Sequence, residues 1–264
     1  MYSFQYHRPR SIDEAVAALK AADDGRFLAG GHTLIPSMKL RLSRPSDLVD
    51  LGGIAELEGI RAEDGAVVIG AMTRHNEVTS SAEVAKAIPA LATLAGCIGD
   101  YQVRNCGTIG GSLATNDPAA DYPAAVLGLA ATVATNRRSI AADDFFTGLF
   151  ETALEDGEII TAVSFPVPSK AGYAKFPNPA SRYAIVGVMV AQRGGEVRVA
   201  VTGAGPCVYR VGEMERALAG NFSPSALDGI SVSAEGLNRD IHASAEYRAH
   251  LVTVMAKRAV AACG

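Results

Sequence analysis

Gly107-Thr108-Ile109-Gly110-Gly111-Ser112-Leu113-Ala114-Thr115-Asn116-Asp117-Pro118 sets two adjacent glycines after a β-branched pair and before small polar residues. A backbone so lightly shielded can turn sharply and present consecutive amide N–H groups, an arrangement that suits an anion. Thr108, Ser112 and Thr115 add hydroxyls, and no lysine or arginine stands between Gly107 and Asn136. Recognition by dipoles rather than by bulk positive charge follows, and the expected anion is a diphosphate. Taken alone, the same stretch also reads as a plain Gly-Gly turn.

A second stretch changes the balance. Phe27-Leu28-Ala29-Gly30-Gly31-His32-Thr33-Leu34-Ile35-Pro36 reads as a short buried strand, a Gly-Gly loop and a new turn of helix, again with a hydroxyl just after the glycines. Two such loops can clasp one diphosphate. Neither is the G-x-G-x-x-G of a Rossmann unit or the Gly-Lys-Ser/Thr of a Walker loop, and neither pattern occurs elsewhere in the chain.

Ala29 to Leu34, Gln102-Val103-Arg104-Asn105-Cys106 running into Gly107 to Ala114, and Asp117-Pro118-Ala119-Ala120-Asp121 together closely resemble the FAD-binding medium subunits of the molybdenum hydroxylases. That family includes carbon monoxide dehydrogenase and xanthine dehydrogenase, and the resemblance covers nearly the whole chain. It implies an α+β fold: a two-lobed FAD-binding domain of the PCMH type over 1–170, with lobes of about 1–55 and 56–170. A small α+β domain with a three-stranded antiparallel sheet follows over 171–264. It implies FAD as cofactor, contacted by Ala29, Gly30, Gly31, His32, Thr33, Leu34, Tyr101, Thr108, Gly110, Gly111, Ser112, Asn116, Asp121, Ile160, Lys175 and Tyr183, with no catalytic base and no metal of the chain's own. The partners implied are a small subunit with [2Fe–2S] clusters and a large subunit with the molybdenum cofactor, in a dimer of heterotrimers. Thr33 stands where relatives often carry serine, which keeps the hydroxyl, and Thr115-Asn116 stand where small residues or histidine are common.

The 264 residues suffice for two domains with cores of their own. A net charge of −4 with scattered arginines argues against a nucleic acid or an acidic membrane as partner. No apolar run approaches the length of a membrane span, and Met1 to Tyr6 alternate like a strand rather than a signal peptide, so a soluble cytoplasmic protein is expected. Cys97, Cys106, Cys207 and Cys263 form no C-x-x-C and no cluster, which argues against a zinc or iron–sulfur site within the chain. Neither HExxH nor G-x-S-x-G occurs.

Along the chain, Ser11 caps an amphipathic helix that ends near Gly25, and strands at 26–29 and 47–50 complete a β-α-β lobe. A hairpin over 60–70 opens the second lobe. Thr73 is expected to cap a helical stretch, and 82–98 a longer helix broken by Pro89. A buried helix over 121–131 and strands at 131–135 and 158–165 follow, and Pro166-Val167-Pro168 marks a boundary. Beyond it, strands at 173–176, 185–193 and 196–202 form an antiparallel sheet with Gly194-Gly195 as hairpin turn, Gly203-Ala204-Gly205-Pro206 is a turn, and 211–218 and 245–261 are helices.

Several side chains admit two readings. Arg104 clamps carbonyls of the central loop or meets a cofactor phosphate, the clamp being preferred. His32 supports the first loop or touches the cofactor, rather than acting as a base. Asp117 caps a turn. Asp121 caps the helix after it, or by the resemblance accepts hydrogen bonds from the ribityl hydroxyls of FAD. Lys175 is a surface lysine, or by the resemblance a cation near the flavin. Tyr183 packs in the core or on the isoalloxazine face. An electron-transfer subunit is the reading these features favour; a self-contained flavin oxidase and a non-redox nucleotide-binding module are the alternatives.

Overall fold

A computed structural model describes residues 1–263. Its first lobe is a three-stranded parallel sheet of β1 (Gln5–His7), β2 (Gly25–Leu28) and β3 (Asp47–Asp50), with β3 in the centre. Parallel neighbours need crossovers, and α1 (Ile12–Ala21) and α2 (Leu34–Lys39) supply them. Ser11 caps α1 as expected, its Oγ accepting from the Glu14 amide at 3.2 Å. Ala15 and Val49 are fully buried in this lobe's core.

The second lobe is a five-stranded antiparallel sheet in the order β4 (Ile60–Glu63), β5 (Ala66–Gly70), β10 (Ile160–Pro166), β6 (Thr132–Thr135), β7 (Ser139–Ala141). Between β5 and β6 run six short helices: α3 (His75–Ser80), α4 (Ala82–Ala87), α5 (Pro89–Gly96), α6 (Tyr101–Cys106), α7 (Ile109–Thr115) and α8 (Tyr122–Gly128). Pro89 divides α4 from α5 and sits in the first turn of the latter, where its missing N–H costs nothing. Arg74 rather than Thr73 takes the N-cap of α3, because the Thr73 hydroxyl is held by the amide and carbonyl of Gly59. Between β7 and β10, a four-residue helix α9 (Ala142–Phe145) and the small hairpin β8 (Phe146–Gly148) and β9 (Glu151–Thr152) fill the loop.

The third unit is an antiparallel sheet of β11 (Lys170–Pro177), β12 (Ala184–Arg193) and β13 (Glu196–Thr202), extended by a two-residue edge strand β14 (Tyr209–Arg210) beyond the three strands expected. Gly194 and Gly195 turn the hairpin at φ 57° and 89°, the doubly positive geometry that glycine tolerates. α10 (Gly212–Gly220) and α11 (Ala245–Ala261) cover one face. β12 is apolar from Ala184 to Ala191 because both of its faces are buried there: Val186, Val188 and Val190 enter the core beneath α11, while Met189 and Ala191 join the core of the second lobe. α8 lies on that second face, so close that a Cβ on Gly128 would stand 2.8 Å from the Met189 side chain. Arg248 of α11 is buried, donating to the carbonyls of Ile185 and Gly203 and to Asp240.

The loop before β10 is tied to β6 by Glu158. Its buried carboxylate accepts from Arg138, from the Thr135 hydroxyl and from the Glu155 amide. The Arg138 hydrogen bond, chiefly, holds its pKa at about 2. Since that lies below the unfolded value of 4.5, the stabilisation is present above 4.5 and fades as pH falls toward 2. Glu158→Gln is therefore expected to lose on the order of 2–3 kcal/mol at neutral pH. Urea unfolding checks this: the gap from wild type should narrow as pH drops below the ordinary glutamate value.

Candidate functional site

Where the two glycine segments meet, they touch backbone to backbone. A Cβ on Gly30 would stand 2.3 Å from the Cys106 carbonyl oxygen and 2.7 Å from the Gly107 Cα, and one on Gly111 would stand 3.2 Å from the Ala29 Cβ. Gly110 lies as tightly on Ala71, at the end of β5. Gly30 and Gly110 are needed because neighbouring backbone passes at a separation no side chain permits, while at Gly111 the space is only tight. Beside the crossing opens a cleft of about 390 Å³, within the range of small-molecule sites.

The division of labour between the segments differs from the expectation. Gly110 and Gly111 are not in an open loop; they lie in α7 with Thr108 as N-cap. The amides that were to form the anion nest have partners inside the chain: Ile109 donates to the Thr73 carbonyl (3.1 Å), Gly110 to the Ala71 carbonyl (2.8 Å) and Gly111 to Thr108 Oγ1 (3.2 Å). Thr115 returns its hydroxyl to the Gly111 carbonyl. The first segment is the open one. Gly31 turns at φ 73°, and the amides of Gly30, Gly31, His32 and Thr33 donate to no acceptor among the described residues. The Thr33 hydroxyl makes no cap bond to α2 and, like that of Ser112, bonds no described residue. Four successive free amides with two hydroxyls at a cleft wall suit the oxygens of a diphosphate.

Of the residues implied by the resemblance, Ala29 to Leu34, Thr108, Gly110, Gly111, Ser112, Asp121, Ile160 and Tyr183 line this one cleft. Three do not. Tyr101 is 71% exposed, with the Arg104 guanidinium 4.6 Å from its ring centre. Asn116 is the left-handed C-cap of α7 at φ 44°, and its buried Nδ2 donates to the carbonyls of Gly148 and Glu151. It ties α7 to the β8–β9 hairpin instead of facing the cleft. Lys175 is neither a surface lysine nor part of the cleft wall: its Nζ donates to Asp121 Oδ2 and to the Cys97 carbonyl, both at 2.9 Å.

Asp121 precedes α8 without capping it. Tyr173 donates to its Oδ1 and Lys175 to its Oδ2, so two strand residues of the third unit grip a carboxylate of the second lobe. Burial pushes the Asp121 carboxyl above its ordinary value, opposed by the Lys175 charge and the Tyr173 hydroxyl. Gly187 is glycine for this reason, since a Cβ there would stand 2.4 Å from the Tyr173 hydroxyl. Asp117 makes the expected local cap, accepting from the Ala119 amide. Arg104 is a clamp, though the carbonyls it holds are those of Ile98 and Gly99, in the turn before α6 rather than in the central segment.

His75 went unnoticed in the sequence. It is buried at the cleft beside Gly107, with its ring 5.3 Å from that of Tyr122 and its Nδ1 without a partner among the described residues. Burial, then the nearby His32 and Arg104, push its pKa down to about 4, so it is neutral at pH 7. Arg182, in the left-handed region at φ 63°, also lines the mouth, next to Tyr183. No group of three His, Cys, Asp or Glu side chains able to hold a metal occurs among the described residues.

Gly30→Ala is expected to force the two segments apart, with a stability loss of about 1–3 kcal/mol typical of overpacking. Titration with FAD should show at least tenfold weaker uptake. Gly220→Ala, where an added Cβ meets nothing, serves as the control.

A family model described as the FAD binding domain in molybdopterin dehydrogenase matches residues 2–168, and one described as the CO dehydrogenase flavoprotein C-terminal domain matches 171–263. The chain is 40% identical over 275 residues to the carbon monoxide dehydrogenase medium chain of Afipia carboxidovorans, spanning 98% of this chain and 96% of that one. To the nicotine 6-hydroxylase medium subunit of Paenarthrobacter nicotinovorans it is 36% identical over 276 residues, spanning 99% and 98%. Among solved structures, carbon monoxide dehydrogenase from Hydrogenophaga pseudoflava superimposes with a TM-score of 0.88 at 36% identity, over 99% of this chain and 97% of that one. Quinoline 2-oxidoreductase from Pseudomonas putida 86 gives 0.84 at 30%, over 98% and 96%. Matched in both domains and along nearly its whole length, the chain belongs to the FAD-binding medium subunits of the molybdenum hydroxylases.

Proposed function

We propose that the chain holds FAD in the cleft between its glycine segments and is the electron outlet of a molybdenum hydroxylase. Two electrons taken from an organic substrate in the molybdenum subunit pass through a [2Fe–2S] subunit to the flavin and leave for an external acceptor. Bound FAD would supply a carrier that both one-electron and two-electron partners can use. The observation that carries the reading is the row of four free amides from Gly30 to Thr33 at the cleft. The chain's own groups do the rest: the Thr33 and Ser112 hydroxyls complete the diphosphate contacts, Asp121 faces the ribityl chain with its remaining lone pairs, and Tyr183 covers the ring at the mouth. Tyr101, Asn116 and Lys175 act from outside the cleft, Lys175 by holding Asp121. His75 stays neutral and supports the central segment.

Among the described residues, no helix is long and apolar enough to cross a membrane. A cytoplasmic dimer of heterotrimers fits this reading. The relatives' complexes differ in substrate, being named for carbon monoxide, nicotine and glyceraldehyde, while their medium chains align with this one end to end. Such a pattern suits a subunit that handles electrons and leaves substrate to its partners.

The purified chain should show a flavin spectrum or acquire one with added FAD, and dithionite should bleach it. Organic substrates of such enzymes should leave it oxidised until the two partner subunits are added. A colourless chain that takes up no FAD, or one that turns over substrate alone, contradicts the reading.

Lys175→Met tests the grip on Asp121. Leaving that carboxylate buried and unpaired is expected to cost about 3–5 kcal/mol, whereas an exposed lysine would cost almost nothing. In urea unfolding, adding Asp121→Asn should restore part of the loss, the signature of a coupled pair.

A further inference from the structure

α2 ends in a hydrogen-bond pattern that normally belongs to glycine. The Leu42 amide donates to the Ser37 carbonyl and the Arg41 amide to the Met38 carbonyl, with Arg41 in the left-handed region at φ 61°. This is a Schellman cap, in which the left-handed position is usually glycine and the next residue packs on the helix's last turn. Here an arginine occupies the strained position. The residue that should pack, Leu42, is 79% exposed, and Leu40 is 71% exposed. The guanidinium groups of Arg41 and Arg44 stack on the half-exposed Tyr2 ring, at 5.6 and 4.8 Å.

No carboxylate of the described residues pairs with Lys39, Arg41 or Arg44. Those of the adjoining sheet are already engaged: Asp24 by Arg26, Asp47 by His7 and Asp50 by Tyr6. An apolar knob ringed by three uncompensated cations thus stands on a chain of net charge −4. The six residues of α2, roughly 9 Å of helix, separate the knob from the free amides of the first glycine segment.

We propose that this knob docks the iron–sulfur subunit that feeds the flavin, through a face with an apolar centre and an acidic rim. The proposal rests on the electron-outlet reading above. Charge complementarity points to an acidic partner, and the short span of α2 points to the partner whose redox centre must come near the cofactor. A second copy of the chain fits poorly, because a two-fold contact would set cations against cations.

The test uses the co-expressed complex with Leu40→Ser/Leu42→Ser, Arg41→Glu/Arg44→Glu, and Arg41→Gly. All three should keep wild-type FAD content and spectrum. The two double variants should retain the iron–sulfur subunit at least tenfold more weakly, and wild-type capture should weaken with added salt. Arg41→Gly should raise the melting temperature, since glycine relieves the cap, and yet weaken capture; a purely structural arginine would move only the first. If the wild-type chain captures the subunit and the variants do so equally, the knob is not the docking surface, although the electron-outlet reading stands. If the wild-type chain neither takes up FAD nor captures the subunit, that reading and the proposal fall together. Loss in the same variants of binding to phosphatidylglycerol vesicles or of self-association, with subunit capture unchanged, also overturns it.

Discussion

The close passage of Gly30 over the Cys106–Gly107 backbone is the constraint on which the rest of the site depends. It joins a small parallel lobe to a larger antiparallel one at a point where Gly30 has no room for a side chain. Because α7 and the end of β5 absorb the amides of Ile109, Gly110 and Gly111, the central segment is a rigid floor. That floor props the first segment so that its own amides stay unpaired. Free amides at a cleft wall are costly to desolvate alone, which makes them useful only where a polar ligand completes them.

A second joint fixes the third unit. Tyr173 and Lys175 of β11 meet Asp121 just before α8, and α8 is buried between the second lobe and β12–β13. The carboxylate that faces the cleft is therefore set by residues of another unit. An arrangement of this kind couples the packing of the third unit to the shape of the site, and it explains Gly187 and Gly128 as places where side chains of the opposing element need the room.

Much of this was legible in the sequence, because local signals agreed with the tertiary outcome. The Ser11 cap, the Pro89 break and the Gly194-Gly195 hairpin all follow from short-range chemistry. Both glycine motifs marked the site, and the cleft gathers thirteen of the sixteen residues implied by the resemblance. What could not be read was which partner each group finds. Two glycine loops clasping one diphosphate were expected, but the central one spends its amides inside the chain, because the acceptors of Ile109 and Gly110, on Thr73 and Ala71, are distant in sequence. Asn116 resembled a ligand group until its C-cap and the β8–β9 carbonyls claimed it, and Thr73 lost its capping role to a bond with Gly59. Lys175 and His75 lie between elements whose packing no periodicity announces.

The central claim is that the amides of the first glycine segment hold the cofactor's diphosphate while those of the second hold the protein together. Amide hydrogen exchange on the chain with and without FAD tests it most directly. Gly30 to Thr33 should exchange fast in the free chain and gain strong protection with FAD, whereas Ile109 to Gly111 should be protected in both states. Strong protection acquired at Ile109 to Gly111 alone, with Gly30 to Thr33 unchanged, would contradict the account.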